Sequence, residues 1–398
     1  MTRKMILAAI LAAFCFSTAN AFVPHSPAIP DIPGYVTLKG DFHIHTCFSD
    51  GSVWPVTRID EAEYDGLDVL AITDHCDSRH RKMMRAGYFT EKADQNASFE
   101  MAYKAGKRRG MIVLHGAELT RGKRHFAGHF NAHFILDGVQ LAREMEKQDE
   151  KINDLIPREE AAIINGLHEA RRQGAFITWN HPNWEAQEAN EPKWLPIHEK
   201  AYSEGLMDGI EIVNAACGEY CPEAFHWAIE RNLTVVSGTD AHSSMNRLVD
   251  YERGEYRPMT LVFATGRNAK AVREALDARR TAVLCSGKVL GRKEYLEPLY
   301  HACIQSKVVA GRQVAIKIKN VSSIPAHLVK GSGSENVYYI KDVILNPGEE
   351  FTIKVNPVKG NREYPASEFD VNFKVMNYLT DVDTPLEISY HVALPDNK

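Results

Sequence analysis

The sequence has few cysteines and no excess of basic charge. Seven cysteines in 398 residues are too few for a disulfide-stabilised scaffold, and no Cys-x-x-Cys occurs, which argues against a zinc ribbon or a thioredoxin-type centre. Asp and Glu (52) outnumber Lys and Arg (47), whereas a protein that binds duplex DNA carries a basic surface. We therefore expect neither a disulfide framework nor binding to duplex nucleic acid.

Long apolar runs are also scarce, and the first run has the features of a secretory signal peptide. Arg3 and Lys4 precede the apolar run Met5–Phe16, which is too short to span a bilayer, and an Ala-x-Ala sequence ends at Ala21. We predict a signal peptide over residues 1–21, with export to the periplasm or the medium; a retained anchor is the alternative. No later run is long enough to span a membrane, so we expect no stable membrane insertion.

Two hydrophobic patterns divide the rest of the chain. From Tyr35 onward, strand-like apolar runs alternate with helical stretches such as Arg158–Gln173, which predicts a mainly parallel sheet and favours a barrel. From His301 onward, short alternating strands are separated by Gly, Pro and Asn, with no convincing helix. We predict an α/β barrel over residues 36–290 and a sandwich-like, all-β domain over residues 300–398.

Most side chains that could bind metal or transfer protons lie at the ends of the predicted barrel strands. Five strand ends carry them: Asp41-Phe-His43-Ile-His45, Asp74-His75, Glu118, Asn180-His181 and Asp240-Ala-His242. The ends of parallel barrel strands share one rim, where such folds place their sites. One such residue could be a buried histidine or a helix cap, but five convergent ends favour a metal site. Divalent ions activate water and hold substrate oxygens, so we expect hydrolysis, most naturally at phosphorus.

The order of these motifs resembles that of the PHP (polymerase and histidinol phosphatase) superfamily. The matching motifs are His43-Ile-His45-Thr46 with Ser49-Asp50-Gly51, Thr73-Asp74-His75, Glu118, Gly128-His129-Phe130-Asn131, Asn180-His181-Pro182 and Gly238-Thr239-Asp240-Ala241-His242. The resemblance implies a distorted (β/α)7 barrel that holds two or three divalent ions (Zn, Mn or Fe). It also implies phosphoester hydrolysis by a metal-bridging hydroxide.

The resemblance also implies particular ligands. Carried over motif by motif, they form three groups: His43, His45, Glu118 and Asp240 for one ion; Glu118, His129 and His181 for a second; and Asp50, His75 and His242 for a third. Asp50 stands where some members have a third histidine, so the sequence resembles the small-substrate branches rather than the polymerase branch. His133 shares a strand face with His129 and is the alternative ligand. Asp240 is also expected to be essential for catalysis.

Basic residues near the motifs are candidates for substrate binding. Arg79, His80 and Lys82 follow the second motif, and Arg247 follows the last one. Arginine and lysine bind phosphate through charge-assisted hydrogen bonds, so Arg79, Lys82 and Arg247 could contact substrate. His80 is the candidate acid for the leaving group. For each residue a solvated loop position is an equal alternative.

These features together predict an exported phosphoesterase for small organic phosphates, with a lean towards diesters. Hydrolysis of short oligonucleotides is one alternative, although the near-neutral charge disfavours binding of extended single strands. A non-catalytic metal-binding or interaction protein is the other. Trp179 and Trp184 could line the substrate pocket or pack in the core. Cys217 and Cys221 are close enough in sequence for a local disulfide.

Overall fold

The structure, a computed structural model, describes residues 25–76, 94–120, 128–147, 155–186, 192–217, 219–311, 313–358, 361 and 363–395. The predicted signal peptide and the candidate substrate residues Arg79, His80 and Lys82 lie outside these ranges. Among the described residues, no helix is long and apolar enough to cross a membrane.

A closed barrel occupies the first part of the described chain. Its strands are β1 (Val36–Asp41), β2 (Val69–Ile72), β3 (Ile112–Leu119), β4 (Phe130–His133), β5 (Phe176–Trp179), β6 (Gly209–Asn214), which carries the short hairpin strand β7 (Glu219–Tyr220), and β8 (Thr234–Gly238). The pairs β1–β2, β2–β3, β5–β6 and β6–β8 are parallel. The barrel closes where the chain after β1 meets the chain after β8, through a parallel bridge between Ile44 and Ala241. The predicted distorted (β/α)7 barrel is confirmed.

Helices follow most of the barrel strands along the chain, and the last one precedes the C-terminal strands. They are α1 (Pro55–Tyr64), α2 (Ala97–Arg109), α3 (Gly138–Glu146), α4 (Leu155–Arg172), α5 (Pro182–Ala186), α6 (Pro196–Ser203), α7 (Pro222–Glu230), α8 (Ala269–Asp277) and α9 (Lys293–Cys303). Several begin at proline, whose fixed φ suits the first helical position. The strands β2, β5, β6 and β8 are buried along their whole length, because one face meets the barrel interior and the other meets helices.

Strand β4 departs from the parallel arrangement that the sequence predicted. It pairs antiparallel with both β3 and β5. Its first residue, rather than its last, therefore lies at the rim where the parallel strands end. His129, which precedes β4, is placed at the rim, and His133, which ends β4, is placed at the other end of the strand.

Further antiparallel strands extend the barrel sheet. β9 (Met259–Ala264) pairs with β1, β10 (Thr281–Cys285) pairs with β9, and β11 (Lys288–Gly291) pairs with β10. The β10–β11 hairpin turns at Ser286 and Gly287, which both have positive φ, as a tight two-residue turn requires. These antiparallel strands stand beside the mainly parallel strands that the sequence predicts.

The C-terminal strands form two packed sheets, as predicted. Their bounds are β12 (Ile304–Val309), β13 (Val314–Asn320), β14 (Ala326–Lys330), β15 (Val337–Tyr338), β16 (Asp342–Leu345), β17 (Glu350–Pro357), β18 (Glu368–Asp381) and β19 (Thr384–Ala393). One sheet has the order β12-β13-β17-β15, and the other contains β16, β14, β18 and β19. Burial alternates along β13 and β19, so each presents one apolar face to the core. β18 also pairs parallel with β11, which joins this domain to the barrel sheet.

Candidate metal centre

The chain segments that follow β1 and β8 place the central histidines of the site. Asp240 N donates to His43 O over 2.7 Å, and His45 N donates to Ala241 O over 3.2 Å. Ile44 N donates to Thr73 Oγ1 over 2.9 Å, which ties the same segment to the end of β2. These bonds hold the His43-Ile-His45 segment against its neighbours on both sides.

Two motif glycines permit close approach of the backbone. A Cβ at Gly238 would lie 2.2 Å from both His43 Cβ and Glu211 Oε1. A Cβ at Gly51 would lie 2.8 Å from Thr46 O. Both distances are too short for any other residue without displacement of the chain that carries His43 or His45.

Two ligand candidates have unusual backbone angles. The φ angles of Asp240 and His181 are +52° and +29°. Non-glycine residues at such angles are strained and persist where surrounding bonds hold them, often at functional sites. Here the Asp240 amide is bonded to His43 O, and the His181 amide donates to Glu211 Oε2 over 2.8 Å.

Glu118 lies at the centre of a cluster of imidazoles. Its two oxygens lie within 3.4 Å of five ring nitrogens: His129 Nδ1 at 2.9 Å, His181 Nε2 at 3.2 Å and His43 Nε2 at 3.4 Å from Oε1, and His75 Nδ1 at 2.7 Å and His45 Nε2 at 3.4 Å from Oε2. All six residues are buried. A single carboxylate therefore faces histidines from four strand-end or loop segments, as the convergence of motifs predicted.

The described residues contain three sets of side chains that could each hold an ion. They are the group of His43, His45 and Asp240, the group of His43, Glu118 and His181, and the group of His45, Asp50, His75 and His242. We call the first two the inner groups and the third the outer group. They differ from the predicted sets in three ways: Glu118 is absent from the first, His43 takes the place of His129 in the second, and His45 joins the outer group. His129 is in none of them, but it contacts Glu118. The ligand roles themselves stay predictions.

The donor chemistry of the cluster fits divalent ions. His43 Nε2 and His45 Nε2 lie 3.2 Å apart, and Asp240 Oδ1 is 3.3 Å and 3.0 Å from them. Glu118 Oε2 is buried and lies 2.7 Å from His75 Nδ1. Lone pairs of imidazole and carboxylate that converge in a buried space are the usual ligands of Zn, Mn and Fe.

The cluster also shifts the pKa values of its members. Burial would raise the pKa of Glu118, but His75, His129 and His43 lower it well below its ordinary value. Burial lowers the pKa of His129 to about 4, so its ring is neutral at pH 7, as a metal ligand must be. Burial opposes protonation of His75, yet Glu118 and Asp50 raise its pKa to about 10. A bound cation would replace that proton.

Glu211 was missed by the sequence prediction. Its Oε1 lies 3.2 Å from His43 Nδ1, and its Oε2 accepts bonds from the His181 amide and from Asn214 Nδ2. A carboxylate on one ring nitrogen directs the other nitrogen towards an ion and raises its basicity. The available signal was a single glutamate flanked by isoleucine on both sides in strand β6.

The structure brings His129, rather than His133, to Glu118. The His133 ring packs edge-on against Phe42, and its Nε2 is 3.4 Å from Thr178 Oγ1. Burial lowers the pKa of His133 to about 3. The antiparallel direction of β4 is the reason, since it separates the two ends of the strand.

The tryptophans and cysteines near the motifs lie in different surroundings. The half-buried Trp184 ring lies 5.0 Å from the His129 ring and 5.5 Å from the His181 ring, so it borders the cluster. Trp179 is fully buried and stacks on His198 at 3.8 Å, so it belongs to the core. Cys217 and Cys221 are not joined by a disulfide, and no disulfide links the other described cysteines. Cys217 Sγ lies 3.4 Å from Asp240 Oδ2.

Arg247 is the one predicted substrate residue within the described ranges. It lies exposed at the end of the 3-10 turn Met245–Arg247. Its amide donates to Ser244 O. None of its described contacts joins it to the cluster, so its role stays a prediction.

An α/β barrel with a buried histidine–carboxylate cluster at one rim defines a metal-dependent hydrolase of the PHP class. A PHP domain model matches residues 41–214, and an Ig-like domain model matches residues 304–391. The crystal structure of a two-domain protein from Bacteroides vulgatus, which contains a predicted PHP-like metal-dependent phosphoesterase, shares 34% identity with this chain. The match covers 93% of this chain and 99% of that one, with a TM-score of 0.80. The chain belongs to the PHP family, in the form that carries a C-terminal Ig-like domain.

Two further solved structures match parts of the chain more weakly. A metal-dependent phosphoesterase from Bifidobacterium adolescentis is 17% identical over 51% of this chain and 87% of its own, with a TM-score of 0.36. An amidohydrolase from Chromobacterium violaceum, with bound sulfate and no metal, is 16% identical over 62% of this chain and 97% of its own, with a TM-score of 0.35. No curated protein matches the sequence.

Proposed function

We propose that this protein is an exported, metal-dependent phosphoesterase that hydrolyses small organic phosphate esters, with diesters preferred. The observation that carries the proposal is the buried Glu118 carboxylate within 3.4 Å of five imidazoles. The relative from Bacteroides vulgatus, named for a predicted PHP-like metal-dependent phosphoesterase, supports the same class of reaction. The features of residues 1–21 support export.

The residues of the cluster would have different roles in the reaction. Divalent ions, when bound, lower the pKa of water and neutralise charge on phosphoryl oxygens. Asp240 Oδ1 lies between His43 Nε2 and His45 Nε2 and would hold an ion with them. Glu211 fixes the orientation of His43, and Trp184 forms a wall beside His129 and His181.

The lean towards diesters comes from the sequence alone. A basic segment that includes Arg79 and Lys82 follows the second motif, and the sequence contains no second phosphate-recognition motif.

The test compares bis(p-nitrophenyl) phosphate with p-nitrophenyl phosphate. The protein from Phe22 onward is assayed as purified, after chelation and after addition of Mn or Zn, beside Asp240→Ala. We expect metal-restored turnover with the diester favoured, and loss of that turnover in Asp240→Ala. Turnover that survives chelation or the Asp240→Ala change would refute the proposal. Faster hydrolysis of short oligonucleotides than of the diester would favour the nuclease alternative.

A further inference from the structure

A fully buried arginine lies behind the metal-ligand loops. Arg58, on helix α1, has no exposed surface. Its guanidinium donates to three backbone carbonyls: Nε to His45 O at 2.8 Å, Nη2 to Ala241 O at 2.6 Å and Nη1 to Ser243 O at 2.9 Å. One side chain therefore joins the loop after β1 to the loop after β8.

Glu61, one helical turn later, completes the arrangement. Arg58 Nη1 donates to Glu61 Oε2 over 2.7 Å, and Glu61 Oε1 accepts the Met245 amide over 2.9 Å. An unpaired guanidinium would be costly at a buried position, and Glu61 supplies the compensating charge. The pair fixes the backbone at His45, Ala241, Ser243 and Met245.

These backbone points lie beside ligands of the outer group and of one inner group, the group of His43, His45 and Asp240. His45 and His242 both belong to the outer group, and each lies beside a carbonyl that Arg58 binds. Ala241 O accepts from the His45 amide as well as from Arg58 Nη2, so the guanidinium reinforces the bridge between the two loops. Glu118 and His181 reach the cluster from other strands, so the hydrogen bonds of Arg58 and Glu61 do not position them.

The chemistry of the site requires arginine. A guanidinium is planar and presents five N–H donors in a fixed fork, so it can bind several carbonyls and a carboxylate at once. A lysine ammonium at the same position would keep the charge opposite Glu61. Its single nitrogen cannot span carbonyls that three different guanidinium nitrogens bind.

We propose that Arg58 is a positioning residue that sets the spacing of His45, Asp240 and His242, and thereby the affinity for ions of the two groups that contain His45. The proposal rests on the proposed function only in that the cluster binds divalent ions. It makes no claim about which ester is hydrolysed.

The test measures metal binding by Arg58→Lys and Arg58→Met in the full chain from Phe22. Mn²⁺ bound per chain is measured by equilibrium dialysis with elemental analysis, and thermal unfolding of the metal-free proteins is measured alongside. We expect three ions in the unchanged protein, and in Arg58→Lys an affinity that is about 10–100-fold lower for the ions of the two groups that contain His45. The ion of the group of His43, Glu118 and His181 should bind as before. Arg280→Lys is the matched control, because Arg280 is also buried and binds a carbonyl and a glutamate, away from the cluster.

Four results would overturn the proposal. They are unchanged affinity for all three ions in Arg58→Lys, parallel weakening of all three, binding of only two ions by the unchanged protein, and failure of Arg58→Lys to fold at saturating metal. The last result would assign Arg58 to the fold alone. Three-ion binding that depends on Arg58, in a protein that hydrolyses no phosphate ester, would overturn the proposed function and leave the positioning role intact.

Discussion

The inner and outer groups share His45 but differ in their exposure to solvent. The inner side chains of His43, Glu118 and His181 are 1%, 1% and 3% exposed. In the outer group, Asp50 is 19% exposed and His242 is 40% exposed. Ions in the inner groups would be enclosed by protein, whereas the outer ion would face solvent.

The difference follows from where the ligands lie in the chain. His43, Glu118 and His181 lie in or directly beside the barrel strands, whose backbones are bonded on both sides. Asp50 lies in a turn after His45, and its Oδ1 is 3.2 Å from His242 Nε2. We therefore infer that the inner groups carry the essential chemistry, while the outer group is the adjustable part of the site.

The largest effect is expected at Glu118. Glu118→Gln removes the charge that faces five imidazoles, so kcat/KM should fall by about 10³-fold or more, on the order of 4 kcal/mol of transition-state stabilisation. Steady-state kinetics and elemental analysis should show loss of both activity and bound metal. Glu169→Gln is the control, since Glu169 on α4 accepts hydrogen bonds from Arg172 and Gln173, away from the cluster. Near-normal activity in Glu118→Gln would contradict the central place of this carboxylate.

A smaller effect is expected at Glu211, which touches His43 from outside the ligand set. Glu211→Gln should lower metal affinity by about 10–100-fold, because the amide no longer orients the imidazole or raises its basicity. Isothermal titration of metal into the chelated protein measures this change, and circular dichroism checks the fold. Unchanged affinity would show that the His43–Glu211 contact contributes nothing to metal binding.

The outer group should be separable from the inner groups. Asp50→Asn should remove one ion per chain and lower kcat/KM by roughly tenfold, while the remaining ions stay bound. Asp60→Asn is a matched control, because Asp60 is exposed on α1 and pairs with Arg109. Loss of every ion in Asp50→Asn would erase the distinction between the groups.

The smallest effect concerns a buried histidine outside the cluster. Burial lowers the pKa of His115 to about 4, and its ring stacks on Phe99 at 4.2 Å. The unfolded chain binds a proton there below about pH 6.5, so stability should fall as the pH drops from about 6.5 to about 4, by at most roughly 3 kcal/mol. His115→Phe keeps the stacking and should flatten this part of the curve of unfolding free energy against pH. An equally steep curve in the variant would assign the acid sensitivity to other groups.

Much of the fold and of the site could be predicted from the sequence, because polar residues that can bind metal directly follow the apolar strands. Apolar runs that end in His, Asp or Glu predicted the rim and the cluster around Glu118. The direction of β4 could not be predicted, since the residue pattern of a short apolar strand is the same for parallel and antiparallel pairing. Because the direction of β4 was not predicted, His129 and His133 remained alternatives. The antiparallel pairing of β4 with β3 and β5 places His129 at the rim.

Contacts between distant segments were also beyond the sequence. Glu211 is a single carboxylate in a buried strand, and its contact with His43 joins residues 168 positions apart. Arg58 gave no motif signal, since its partners are backbone carbonyls that any sequence provides. Local patterns revealed the ligand candidates but not the residues that orient them.

We expect the cluster at the barrel rim to be a metal centre whose inner groups support hydrolysis. The most direct measurement is a titration of the chelated protein with Mn²⁺, in which bound ions and hydrolysis of bis(p-nitrophenyl) phosphate are followed in the same samples. We predict that activity rises with the first two ions bound per chain and that a third binds more weakly. Full activity without bound metal, or three ions bound with no hydrolysis of any phosphate ester, would show that the cluster is not a metal centre for phosphoester hydrolysis.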